Sequence, residues 1–205
     1  MKYIEVAQER VVYDGMRDSV ETHLAMHCHL ALYTFAHLYI YQKKILDAAC
    51  GTCFGSMIFS TAASSIICVD NNKKAIAHGK KLPMFCPTVY LVRDLEKQIL
   101  PEADVCVSIE TIEHLNGDGF FLRNLNVKEL IFAVPMHMPG AFHKISFDTP
   151  EEWSKYFYSH GWGVEYGVVT DEAIPVRSNS VDRLLRGSNF MGVGRHYETK
   201  RKGQQ

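Results

Sequence analysis

The sequence predicts an α/β fold, a parallel sheet with helices on both of its faces. Three observations carry this. Short, continuous apolar runs alternate with stretches of helical length through the middle of the chain; strands covered on both faces read this way, and the alternation makes βαβ units. Three of the runs, SIICVD, TVYLVRD and ADVCVSIE, end in an acid. The first run, KILDAAC, ends in a glycine-bearing turn, and Asp70 follows 19 residues after Gly51.

The 205 residues suffice for one well-buried domain. Residues 1–205 read as that single domain, with a helical cap over about 1–43 and a basic tail over about 196–205. Apolar residues at 47% and charged residues at 22% are ordinary globular proportions, and a net charge of -1 gives no bulk attraction to nucleic acid or membrane. The N-terminal MKYIEVAQER lacks an apolar signal core, and no stretch approaches ~18 apolar residues. A cytoplasmic chain is expected, with its cysteines, 28, 50, 53, 68, 86 and 106, as reduced thiols.

Taken in order, Asp18 to Gln42 contains no Gly or Pro, and Leu24, Leu30, Leu32, Phe35, Leu38 and Ile40 suit a helix with a broad apolar face. KILDAAC is the first strand, SMIFSTAA a short helix, SIICVD the second strand and NKKAIAHGKK a polar helix. TVYLVRD and ADVCVSIE are the third and fourth strands, GDGFFLRNL is helical, and VKELIFAVP is a fifth strand stopped by Pro135. In DTPEEW, Thr149 is an N-cap, Pro150 takes the first helical position and Glu152 completes a capping box. That helix runs to about His160 and ends at Gly161. GVEYGVVT and NFMGVGR make two further strands, with residues 171–188 as their connection. Trp153 and Trp162 are assigned to the core.

ILDAACGTCFGS, residues 45–56, is the decisive stretch. A thioredoxin-like Cys-x-x-Cys needs its first thiol at a helix N-terminus, whereas Cys50 ends a strand. A structural zinc needs four ligands, and Cys50 and Cys53 lack a second close pair. No metal is therefore expected. A cofactor turn needs glycine where the backbone approaches a ligand, which Gly51 and Gly55 supply, and an acid for ribose hydroxyls, which Asp70 supplies. The Gly-x-x-x-Gly spacing lacks the pattern that admits a pyrophosphate. Asp47, four residues before Gly51, repels such a ligand and suits one carrying an ammonium or sulfonium.

These residues resemble the S-adenosylmethionine-dependent methyltransferases with the Rossmann-like fold, in the small-molecule and glycan-type branch. ILDAACGTCFGS resembles their first motif, ICVDNNKKAIAHGKK the second strand with its ribose acid, LVRDLEK the adenine segment and DVCVSIETIEHLNG the fourth-strand motif. The likeness spans roughly residues 24–170, and FHKISFDTPEEWSKYFYSHGW resembles the region after the fifth strand. It implies a doubly wound, three-layer αβα architecture with a seven-stranded, mostly parallel sheet and an antiparallel last strand. It also implies S-adenosylmethionine as cofactor. Asp47, Ala48, Gly51, Cys53 and Gly55 would belong to its methionine half, Asp70 and Asn71 to the ribose, Asp94 and Leu95 to adenine, and Glu110 and Thr111 to the reacting centre. The family usually has glycine at the position of Cys53; a Cβ there costs about 1 kcal/mol if the backbone is left-handed.

Methyl transfer needs proximity and, for a hydroxyl or amine acceptor, a base near neutral pH. His143, His137 and His114, in that order, follow the fourth and fifth strands and fit that need. Glu113 reads as a helix-start carboxylate, and His23, His27 and His29 as surface or lid residues. Arg177 and Arg183, with Arg186, could clamp an anionic substrate or be a solvated loop. The expected partner is a small-molecule acceptor, a sugar or other hydroxyl-bearing metabolite. Membrane and nucleic-acid partners are not expected, and a homodimer is left open. A non-methylating enzyme of the same cofactor and an inactive cofactor-fold binding protein remain alternatives.

Overall fold

The computed structural model describes residues 20–136, 143–178 and 181–197, with the backbone alone for 20–28, 170–178 and 181–188. Its strands are β1 (Lys44–Ala48), β2 (Ser65–Asp70), β3 (Thr88–Val92), β4 (Val105–Ile109), β5 (Glu129–Met136), β6 (Trp162–Ser178) and β7 (Val181–His196). Its helices are α1 (Val20–His37), α2 (Phe54–Phe59), α3 (Lys73–Gly79), α4 (Phe120–Arg123) and α5 (Pro150–Ser159), with a single 3-10 turn at Ile112–His114. The sheet order is β3-β2-β1-β4-β5-β7-β6. β1 to β5 pair in parallel, and β7 runs antiparallel to both β5 and β6. This is the doubly wound, mostly parallel seven-stranded sheet that the sequence led us to expect.

Each apolar run splits by parity between two cores, because successive side chains point to opposite faces of the sheet. Leu46, Ile67, Val69, Cys106 and Leu130 face a core completed by Phe121, Leu122, Trp153, Phe157 and Trp162. Ile45, Ile66, Cys68, Val105 and Ile131 face the other, with Ala36, Ile40 and Phe59. Both tryptophans are wholly buried, and their indole N–H groups donate to the Pro135 and Leu122 carbonyls at 3.2 and 2.9 Å. The capping box at α5 forms as expected: Glu152 N–H donates to Thr149 Oγ1 and Thr149 N–H to Glu152 Oε2.

Several expectations are corrected. The apolar face of α1 is narrower than its leucines suggest. Leu32, Ala36 and the following Ile40 are buried, while Leu30 is 43% and Leu38 72% exposed, because the helix stops at His37 and the turn carries Leu38 outward. The polar connection at 171–188 is strand almost throughout: β6 and β7 continue as a two-stranded ribbon. β5 pairs with β7 only over Ser188–Arg195, so the ribbon extends past the carboxyl end of β5. Pro175 is tolerated there because β6 is the sheet's edge and pairs on one side only. No helix among the described residues is long and apolar enough to cross a membrane.

Candidate active site

Strand order reverses between β1 and β4, and ligands of open α/β sheets bind beyond the strands' carboxyl ends at such a point. A cavity of about 560 Å³ opens there. Gly51, Asp70, Asn71, Asp94, Leu95, Glu110, Thr111 and His114 all line it, drawn from the ends of four strands. A smaller depression of about 400 Å³ lies at the opposite edge, where β1 and β5 begin, and holds the ion pairs of Glu129 with Lys43 and Arg195.

Asp70 ties two loops together. Gly51 N–H donates to its Oδ2 at 2.9 Å and Asn72 N–H to its Oδ1 at 2.7 Å. A carboxylate oxygen accepts along two lone pairs, so these bonds orient the group without exhausting its capacity for ligand hydroxyls. Gly51 has φ +56° and an open space beside its Cα, as a close backbone approach to a ligand requires. Asp94 accepts from Glu96 N–H at 2.9 Å and pairs with Lys97 at 3.0 Å. Those two contacts, the backbone bond first, hold its carboxyl below the usual range. Glu110 sits at φ 50°, a strained turn that aims the chain across the end of β4 while its N–H reaches the Ala133 carbonyl at 2.9 Å.

Four residues of the predicted cofactor set lie behind the cavity wall. Asp47 is buried, and Ser56 Oγ donates to its Oδ2. Burial, with Cys68 next, pushes its carboxyl up to about 8. Ala48 is 1% exposed within the core. Gly55 lies under the Tyr33 ring, where a Cβ would come within 2.7 Å of Cε1. Cys53 is fully buried at φ 64°, the left-handed conformation that glycine would take there. Its side chain turns away from the cavity into space left by Gly79, where a Cβ would fall 2.3 Å from Sγ. Tyr33 and His29 of α1 also line the cavity.

At the cavity mouth His114 meets His143, with ring centroids 4.9 Å apart. The Glu113 carbonyl accepts from both Lys144 and Ile145 N–H groups, at 2.8 and 3.1 Å, and this clamps the segment after β5 against the 3-10 turn. His114 Nε2 lies 3.6 Å from Glu113 Oε1. Glu113 takes the first turn of the 3-10 helix, as expected of a helix-start carboxylate, and it is wholly buried. One ligand atom from each of Glu113, His114 and His143 falls within 4.8 Å of the others, a grouping suited to a divalent cation and absent from the sequence expectations. The signal was the pairing of Glu113-His114 with a histidine beyond the next strand. His137 lies outside the described residues. Arg177 and Arg183 are placed by backbone alone on the ribbon, past the end of β5.

No protein-family model matches the chain. Over 98 residues it is 31% identical to proteins of Mycobacterium tuberculosis, strains CDC 1551 / Oshkosh and ATCC 25618 / H37Rv, each described as "Probable S-adenosylmethionine-dependent methyltransferase". The match takes in 42% of this chain and 35% of the relative, so it spans about a third of the length of those curated relatives. Among solved structures, magnesium protoporphyrin IX methyltransferase of Synechocystis PCC 6803 with bound SAM superposes with a TM-score of 0.66 at 12% identity, over 90% of this chain and 88% of that one. TehB of Haemophilus influenzae gives 0.62 at 16% identity, over 80% and 61%. The chain therefore has the Rossmann-like fold of S-adenosylmethionine-dependent methyltransferases.

Proposed function

We propose that the chain is an S-adenosylmethionine-dependent methyltransferase acting on a small-molecule acceptor, with a hydroxyl or amine nucleophile such as a sugar's. The observation that carries this is the Asp70 carboxylate. It is locked by the Gly51 and Asn72 N–H groups at the wall of a cavity that also gathers Asp94, Leu95, Glu110 and Thr111. The names of the mycobacterial relatives and the SAM-bound neighbour support the same cofactor.

In this reading Asp70 would accept from the ribose hydroxyls, Asp94 and Leu95 would hold the adenine, and Glu110 and Thr111 would stand at the reacting centre. When bound, the cofactor would supply an activated methyl group to the acceptor's lone pair and would leave as a neutral thioether that keeps the electron pair of the broken carbon–sulfur bond. The acceptor's proton leaves to a base, for which His143 and His114 stand at the mouth and His137 is retained from the sequence. Arg177 and Arg183, on the ribbon beyond β5, would bind an anionic group of the acceptor.

A second reading of the mouth rests on the Glu113, His114 and His143 grouping. Those three would hold a divalent cation that binds the acceptor oxygen and lowers its pKa. Chelation separates the two readings: methyl transfer that falls with EDTA and returns with Mg²⁺ or Mn²⁺ assigns a cation, and transfer indifferent to EDTA assigns proton transfer by histidine.

The primary test is calorimetric titration with S-adenosylmethionine and S-adenosylhomocysteine, with Asp70→Ala as control. Micromolar binding that drops at least about a hundredfold in the control is expected, as for two or more charge-assisted bonds. Folded protein that binds neither compound sinks the proposal. Product analysis then distinguishes methyl transfer from cleavage of the cofactor.

A further inference from the structure

Methyl transfer makes no use of three thiols beneath the cofactor loop. Cys50 and Cys53 bring their sulfurs to 3.6 Å. From the sequence this pair lacks partners, but β2 runs alongside β1 and delivers Cys68, so that all three sulfurs lie within 4.8 Å of one another. Three sulfurs bonded to one ion at about 2.3 Å would stand about 4.0 Å apart in a trigonal plane. Cys50 and Cys53, at 3.6 Å, stand near that spacing, and the distances to Cys68 stay within 4.8 Å.

We propose that Cys50, Cys53 and Cys68 form a three-coordinate thiolate site for Cu(I). Soft thiolates select this cation, whereas zinc takes four ligands, and among the described residues no fourth Cys, His, Asp or Glu joins the group. A second, independent observation is the backbone at Cys53. A non-glycine residue is kept at φ 64° at a cost of about 1–3 kcal/mol, and Gly79 leaves the room its sulfur occupies. Strain retained at a side chain that contributes nothing to the cavity wall points to a role for the sulfur itself.

Binding releases the thiol protons, and Cys50 lines the cavity through which they and the ion pass.

The test titrates the full, reduced chain with Cu(I) under argon against bathocuproine disulfonate. Expected are one Cu(I) per chain taken from the chelator, an ultraviolet sulfur-to-copper absorption, and at least tenfold weaker binding in Cys53→Gly and in Cys68→Ser. Cys53→Gly places glycine at a left-handed position and keeps the fold, which circular dichroism verifies. Cys106→Ala, a buried thiol outside the group, should bind like wild type. No copper taken, or copper held equally well by Cys53→Gly, overturns the site. Tighter binding of Zn²⁺, with a tetrahedral Co²⁺ spectrum on substitution, overturns the three-coordinate assignment.

Discussion

Tyr33 of α1 packs against Gly55 at the start of α2, so close that a Cβ on Gly55 would stand 2.7 Å from the ring's Cε1. The ring has nowhere to go, because Phe54 and Phe59 meet it edge-on at 6.0 and 5.8 Å. The contact fixes α1 as the roof of the cavity that Tyr33 and His29 line. Gly55 thus serves the helix above it rather than a ligand beside it.

Gly55→Ala should cost about 1–3 kcal/mol by overpacking. In a Tyr33→Ala background the same substitution should cost less than about 0.5 kcal/mol, because the obstacle is gone. Urea unfolding of the four proteins checks this. Equal costs in both backgrounds would mean that the two residues do not meet.

Cys53 and Gly79 make a second interlocked pair, and here the usual ranking of substitutions inverts. Cys53→Ala loses the sulfur and keeps the left-handed strain, whereas Cys53→Gly relieves it. Glycine should therefore be the more stable of the two variants by about 1 kcal/mol. Gly79→Ala places a Cβ 2.3 Å from Cys53 Sγ and 2.8 Å from its Cβ, and should be strongly destabilising. Adding Cys53→Gly should recover most of that loss. Thermal unfolding of the three variants and the double variant reads both effects; alanine at 53 outperforming glycine would contradict the backbone assignment.

The histidine pair at the mouth should be separable from cofactor binding. His143→Ala should leave affinity for S-adenosylhomocysteine within about threefold of wild type, since His143 is absent from the cavity wall. Asp70→Ala should lose it. With an acceptor in hand, His143→Ala should lower kcat and leave the cofactor KM in place. Parallel loss of cofactor binding in both variants would put His143 in the wrong part of the site.

What could be read in the chain was what lies close in sequence or repeats with a short period. The strands announced themselves as unbroken apolar runs, and Gly51 with Asp70 by the spacing of one strand–helix–strand unit; their hydrogen bond at 2.9 Å closes that unit. Thr149 and Glu152 are three residues apart and met as their pattern required. What could not be read depends on distant partners. Nothing near Cys53 says that Gly79 will make room for it, and nothing near Gly55 names Tyr33. Nothing near Glu113 says that the segment after β5 will pack against it and that its carboxylate will be buried. The long ribbon of β6 and β7 was hidden by Pro175 and scattered charges, which an edge strand tolerates and a central strand does not.

The buried Asp47 should make the protein less stable as pH rises through neutrality. Its carboxyl titrates near 3.8 in an unfolded chain and near 8 in the fold, with desolvation as the main cause and Cys68 the next. Below about pH 4 both states hold the proton and the full stability is present. Between those values the unfolded state gives up the proton while the fold retains it, so stability falls by up to about 1.4 kcal/mol per pH unit and levels off above pH 8. Cys53 works in the opposite sense. Its thiol is lowered to about 5 from 9.0, so it adds stability as pH rises through the same window. The net slope of the wild type is therefore no test, but the difference from Asp47→Asn is, because the amide keeps a polar group beside Ser56 Oγ and cannot titrate. Urea unfolding of both proteins at pH 5, 6, 7 and 8 should show the variant gaining on the wild type at each step. Parallel curves would mean that Asp47 is ionised in the fold, with a counter-charge or water reaching it from the cavity side.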